Sequence, residues 1–164
     1  MKEKQLNLFI VDDNELLVTA LKTYLIEKFG DYLKISVFYD GDSCLRSISE
    51  NTDVVILDYN LIGNKDGLDV LKEIKFINPK TEVIMLSSNE NIGTAIDSFR
   101  LGAKDYVVKG YGSWQRIAKL IKKIINAPIR VLVKEFGVSV YVATFLITFI
   151  AIGIIVLIVS KIIN

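Results

Sequence analysis

Four apolar runs of strand length end on residues able to do chemistry. "LNLFIV" (6–11) leads into Asp12-Asp13, and "DVVIL" (53–57) into Asp58, with Asn60 two residues further on. "EVIML" (82–86) leads into Ser87-Ser88, and "DYVV" (105–108) into Lys109. An isolated charge is too costly to hide at the end of a buried strand, so Asp58 must surface among partners. Three carboxylates brought together repel, and at least one keeps its proton unless a cation neutralises them. Oxygen ligands suit a hard divalent ion. Mg2+ fits best, because it takes one or two carboxylates and completes its octahedron with water and phosphate oxygens. An aspartate beside Mg2+, with an ammonium and a hydroxyl close by, is arranged for phosphoryl transfer to the carboxylate. That carboxylate is already a nucleophile at neutral pH, and the cations offset charge on the phosphoryl oxygens.

The elements that must position these groups follow from periodicity. A fifth run, "LKISVF" (33–38), delivers nothing distinctive at its end. Leu16, Leu17, Ala20, Leu21 and Leu25 mark one helix, and Leu68, Leu71, Ile74 and Ile77 another. Residues 41–50, 91–101 and 113–126 supply three more. Strands alternating with helices predict the doubly wound α/β class, a five-stranded parallel sheet covered on both faces. In such sheets ligands bind outside the carboxyl ends of the strands, where the named residues converge. Gly30, Gly41 and Asn78-Pro79 supply the turn signals, and Asn126-Ala127-Pro128 stops the last helix. Plainer roles stand beside the chemical ones. Asp12 with Glu15 reads as a capping box, which needs no metal and is compatible with one. Ser87 also suits the start of a turn, Lys109 a solvated surface, and Tyr106, Trp114 and Cys44 simple packing.

Composition divides the chain. Residues 1–126 carry 17 basic and 18 acidic residues, whereas 127–164 carry three basic and one acidic. A net charge of +1, with no large basic excess, argues neither for nor against nucleic acid; no nucleic-acid partner is expected. One cysteine, Cys44, allows no internal disulfide and points to a reducing compartment. With no histidine, the chain holds no histidine phosphodonor, no Ser-His-Asp triad and no histidine metal site. The N-terminal apolar run is too short for a signal peptide and lacks a small-residue cleavage site. From Phe136 to Ser160 there are 25 residues without a charge. A spanning helix needs roughly 20, so 136–160 is expected to cross a membrane, with 127–135 as a basic linker. Arg116, Lys119, Lys122, Lys123, Arg130 and Lys134 precede the run and only Lys161 follows it. The positive-inside rule then puts residues 1–135 in the cytoplasm and the 161–164 tail outside. The same basic cluster suits anionic headgroups as well as water. Ser139 with Ala143, or Thr144 with Thr148, falls at helix-packing spacing, a weak pattern.

"LFIVDDNELL", "VVILDYNL", "DGLDVLKEI", "VIMLSS" and "AKDYVVK" together resemble the receiver domain of two-component response regulators, over residues 5 to 126. The resemblance implies a flavodoxin-like fold and a signalling phosphoacceptor with no more than self-catalysed phosphotransfer and dephosphorylation. It implies that Asp58 takes a phosphoryl group from the phosphohistidine of a histidine kinase or phosphotransfer protein. Asp12, Asp13, the Asp58 carboxylate and the Asn60 backbone carbonyl would hold Mg2+. Ser87 stands at the position of a hydroxyl that moves to the new phosphoryl group. Tyr106 stands at the aromatic switch position, and Lys109 at that of the phosphate-pairing lysine.

Two departures stand out. Gly110 follows Lys109 where the family has a proline after a cis bond, so either this loop is trans and differently shaped or it is strained, since a non-proline cis bond costs about 2.5–4 kcal/mol. The loop "YNLIGNKDG" lacks the usual proline and is one residue longer than common, beside the metal position. Too little chain follows residue 126 for a helix-turn-helix or catalytic module. Output is therefore expected through contact with a protein partner, homodimerisation or competition for phosphate, on a membrane-tethered receiver. Two other readings compete: a receiver-like scaffold without phosphorylation, and a Mg2+-dependent phosphatase. Phosphatases of the haloacid dehalogenase type resemble this in their strand-end aspartate but place a general acid two residues on, where Asn60 cannot donate a proton.

Overall fold

The computed structural model describes residues 5–63, 65–88, 91–126 and 140–163. The chain divides into two compact units, with the boundary after Lys119.

In the first unit, five parallel strands form one sheet in the order β2-β1-β3-β4-β5. They are β1 (Leu6–Val11), β2 (Leu33–Phe38), β3 (Val54–Asp58), β4 (Glu82–Ser87) and β5 (Asp105–Val108). The helices are α1 (Glu15–Phe29), α2 (Gly41–Ser47), α3 (Gly67–Ile77), α4 (Ile92–Arg100) and α5 (Ser113–Ile125), which continues across the boundary. One turn of 3-10 helix at Gly30–Tyr32 leads from α1 into β2.

The expected class is the one observed, with two strand ends shifted. The ladder carries on one residue further than the apolar runs, pairing Asp58 with Leu86 and Ser87 with Val108. Both reactive side chains are thus the last residues of strands rather than the first of loops. The backbone of β3 is held between β1 and β4, and all five of its residues are buried.

Alternation along the strands sends Phe9, Val11, Val55, Leu57, Val83 and Met85 to one face, where they meet Cys44, Ile48, Val70, Leu71 and Ile74. Cys44 is fully buried there, and burial pushes its thiol up to about 12. On the other face Tyr24 of α1 meets Trp114 of α5 with ring centroids 5.7 Å apart, a packing role for both.

Short polar side chains start the helices. Asn14, Asp40, Asp66 and Asn91 accept backbone N–H groups of the first turns of α1, α2, α3 and α4. The capping box expected between Asp12 and Glu15 does not form. Asn14 occupies the cap, and Asp12 comes two residues earlier, its N–H donating to the Phe38 carbonyl at 3.2 Å and its carboxylate paired with Lys109.

In the second unit, helix α6 (Val140–Ile163) contains a stretch, Thr144–Ile162, of 19 residues that is long and apolar enough to cross a membrane. It runs three residues past the expected end, through Lys161, while residues 127–139, which include the expected linker and the start of the apolar run, lie outside the described residues. Thr148 Oγ1 donates to the Phe145 carbonyl at 2.8 Å and Ser160 Oγ to the Leu157 carbonyl at 2.9 Å. These hydroxyls are satisfied within the helix, as an apolar surrounding requires.

Candidate functional site

The sheet order reverses between β1 and β3, which makes the crevice at their carboxyl ends the topological switch point. The two strands deliver Asp12, Asp13 and Asp58 to it. Carboxylate oxygens of the three lie within 4.8 Å of one another. Asp12 and Asp58 are buried, at 1% and 2% exposure, and Asp13 is half-buried. Asp12 Oδ1 accepts the Asn14 N–H at 2.9 Å, which fixes its rotamer.

Lys109 follows β5 and reaches back across the sheet end. Its Nζ lies 2.8 Å from Asp12 Oδ2 and 3.0 Å from Asp58 Oδ2. Burial alone would lower the Lys109 pKa, but hydrogen bonds to the two carboxylates outweigh it and raise the value. For Asp58 the balance falls the other way. Burial raises its pKa, the hydrogen bond from Lys109 opposes the rise, and the charge of Asp12 adds to it. One ammonium against three carboxylates leaves negative charge in excess.

The backbone of Lys109 sets how far its side chain reaches. The Lys109 N–H donates to the Ser87 carbonyl at 2.7 Å, which anchors the residue to the end of β4. No cis peptide occurs among the described residues, and Gly110 adopts φ 154°, a value that side chains rarely take. Glycine lets a trans loop leave β5 while Lys109 still points inward.

The remaining named residues lie around this cluster. Ser87 is fully buried one strand from Asp58, and Tyr106 is buried against the core beside Met85 and Val83. The Asn60 side-chain amide donates to Ser88 Oγ at 3.2 Å, linking the β3–α3 loop to the end of β4.

Two features were not singled out as site residues by the sequence reading. Gly67 lies so close to the backbone beneath it that an added Cβ would meet the Asp58 carbonyl oxygen at 2.4 Å and Tyr59 Cα at 2.7 Å. Its N–H donates to the Tyr59 carbonyl at 2.8 Å, seating the start of α3 against the reactive strand end. The signal was the Asp66-Gly67 pair itself, a cap followed by a residue with no side chain. Lys65 is the second. Its Nζ lies 3.1 Å from Asp42 of α2 and 2.9 Å from Glu73 of α3, holding the far end of the long loop. Nothing in the spacing of those three residues announces the contact.

The donor set fits a hard divalent ion. Its atoms are carboxylate oxygens, its net charge is negative, and Asp58 Oδ1 is buried without a hydrogen-bond partner. A buried carboxylate oxygen left without a donor is rare unless a cation serves it.

A parallel sheet of this order, with acids and a lysine gathered at its switch point, defines a receiver-type α/β domain. The family model for the response regulator receiver domain matches residues 8–123. The chemotaxis protein CheY of Listeria monocytogenes is 31% identical over 119 residues, covering 72% of this chain and 97% of its own. The transcriptional regulatory protein ZraR of Klebsiella oxytoca is 29% identical over 110 residues, 66% of this chain, and the match spans only 24% of that relative's length. Among solved structures, the receiver domain of NtrX from Brucella abortus is 31% identical, with a TM-score of 0.62, covering 71% of this chain and 96% of its own. This chain belongs to the response regulator receiver family. Receiver domains are signalling phosphoacceptors that bind Mg2+ at an acidic pocket and interact with histidine kinases or phosphotransfer proteins.

Proposed function

We propose that this protein is a membrane-anchored receiver that accepts a phosphoryl group on Asp58 and signals through contact with another protein. The observation that carries the reading is Asp58 itself. One of its oxygens is paired with Lys109, and the other is buried without a donor inside a trio of carboxylates.

Asp12, Asp13, the Asp58 carboxylate and the Asn60 backbone carbonyl would hold Mg2+, which would supply positive charge against the phosphoryl oxygens. The Asp58 carboxylate attacks the phosphorus of a phosphohistidine on the donor protein. The O–P bond forms as the N–P bond breaks, and the imidazole leaves with the electron pair. Lys109, already between Asp12 and Asp58, pairs with the incoming phosphoryl oxygens. Esterification removes the carboxylate's own charge while the phosphoryl group brings about −1.5 to −2. The site thus gains at most about one negative charge, now spread over three acceptor oxygens. Ser87, one strand away, donates its hydroxyl to the new group, and Tyr106, already buried against the core, repacks behind it. The surface of α4, β5 and α5 then shifts between two packings, a change of population that a partner can read.

Anchoring by α6 keeps these encounters in the plane of the membrane and raises effective concentration. The basic residues before the apolar stretch favour a cytoplasmic receiver. A homodimer or a separate protein partner serves equally as the output.

Beryllofluoride with Mg2+, which mimics the phosphoryl group, tests the reading on the full chain. The environments of Tyr106 and of the α4 amides should change in the wild type and not in Asp58→Asn. No change in the wild type, or an equal change in the variant, contradicts phosphorylation control.

A further inference from the structure

Helix α5 carries Arg116, Lys119, Lys122 and Lys123 and no acidic residue from Ser113 to Ile125. At 100° per residue these four cations occupy an arc of about 120°. All four are exposed, while Ile117 and Ala118 on the opposite side are buried. Arg116 is paired with Asp105 at 2.6 Å. Lys119, Lys122 and Lys123 make no salt bridge among the described residues and form a cationic stripe along the last two turns. Such a stripe gains nothing for the fold, since like charges at these spacings repel along a helix. Its complement is an extended anionic surface.

The chain supplies one. Residues 126–139 connect α5 to α6, and so short a segment reaches at most about 50 Å even when fully extended. If α6 spans a bilayer, the lysine stripe stays within that distance of the surface and meets headgroups at high effective concentration. Anionic headgroups attract juxtamembrane basic residues at about 1 kcal/mol each, about fivefold in partition per residue, within a Debye length of the surface. We infer that the Lys119–Lys122–Lys123 face of α5 is a docking surface for anionic phospholipid headgroups. The inference rests on the membrane-anchor reading of α6. Docking holds one face of α5 against lipid, so a partner that uses this helix must compete with the membrane for it.

The test uses the full chain reconstituted in vesicles of phosphatidylcholine alone or mixed with phosphatidylglycerol. Flotation after alkaline extraction first reports whether the chain is integral. A water-soluble amine reagent then reports lysine access, with Lys34 on β2 and Lys72 on α3 as internal references. In anionic vesicles, labelling of Lys119, Lys122 and Lys123 should slow by about fivefold relative to neutral vesicles, recover at high salt, and leave Lys34 and Lys72 unchanged. Amide exchange along α5 should slow with it, and the triple variant Lys119→Gln, Lys122→Gln, Lys123→Gln should lose that lipid dependence while still floating. Flotation with labelling indifferent to lipid charge overturns the docking surface and leaves the anchor standing. Equal protection in both lipids means the face meets protein and also overturns it. Failure to float overturns the anchor and the docking together.

Discussion

Lys109 Nζ lies 3.0 Å from Asp58 Oδ2, and 2.8 Å from Asp12 Oδ2, so a single ammonium bridges the reactive carboxylate and its neighbour. The bridge balances only part of the charge. Asp13 completes a trio of acids around it, and the pKa of Asp58 stays raised, chiefly by burial.

The sign of that shift predicts how Asp58→Asn behaves with pH. A carboxyl whose folded pKa is raised stabilises the fold below its ordinary value and loses that contribution as pH rises through its folded value. At neutral pH without metal, Asp58→Asn should therefore be more stable than wild type, since Lys109 retains Asp12 as partner. The advantage should shrink on acidification and vanish below about pH 4. Thermal unfolding followed by Trp114 fluorescence across this range checks both the sign and the window.

Added Mg2+ should reverse the order. At ten times its dissociation constant, a cation bound only by the folded state stabilises by about 1.4 kcal/mol. Wild type should gain this, whereas Asp13→Asn and Asp58→Asn should gain less at the same concentration. Melting curves with Mg2+ and with a chelator report it, without any phosphoryl donor present.

Lys109→Met should separate metal from chemistry. Removing the ammonium leaves the acids less neutralised, so Mg2+ should bind more tightly. The rate of phosphoryl capture should nevertheless fall by about a hundredfold, as for loss of a preorganised group that stabilises developing charge. Tighter Mg2+ binding in titration, paired with slower labelling, is the expected signature; weaker Mg2+ binding contradicts the assigned balance.

Gly67→Ala should be costly although it adds one methyl group. The atoms it meets are backbone, the Asp58 carbonyl oxygen at 2.4 Å and Tyr59 Cα at 2.7 Å, and neither can swing aside. About 2–3 kcal/mol of stability should be lost, with phosphoryl capture falling too because the strand end must shift. Gly63→Ala, where open space surrounds the position, serves as the control: its φ of 137° isolates backbone strain from the steric clash at Gly67.

The order of elements was legible because five apolar runs and five periodic segments alternate without a break, and the strand-end acids mark which edge is chemical. What the sequence hid was geometry across elements. Asp12 looked like a helix cap from its spacing to Glu15, but Asn14 is free to turn its amide oxygen onto the helix while Asp12 is held toward Lys109. Helix α4 shows why periodicity alone misleads about faces. Its large residues Ile92, Ile96 and Phe99 face outward, and it rests on the sheet through Ala95 and buried Ser98. The Lys65 contacts needed α2 and α3 placed side by side before Asp42 and Glu73 could share one ammonium.

Mapping the phosphoryl group is the most direct test of the central claim. Incubation of the full chain with phosphoramidate and Mg2+, followed by borohydride trapping and peptide mass spectrometry, should place one acyl phosphate on Asp58. The adduct should be absent with a chelator and in Asp58→Asn. Labelling of Asp12, Asp13 or another residue in the wild type, or no labelling with Mg2+ shown to be bound, would contradict Asp58 as the acceptor.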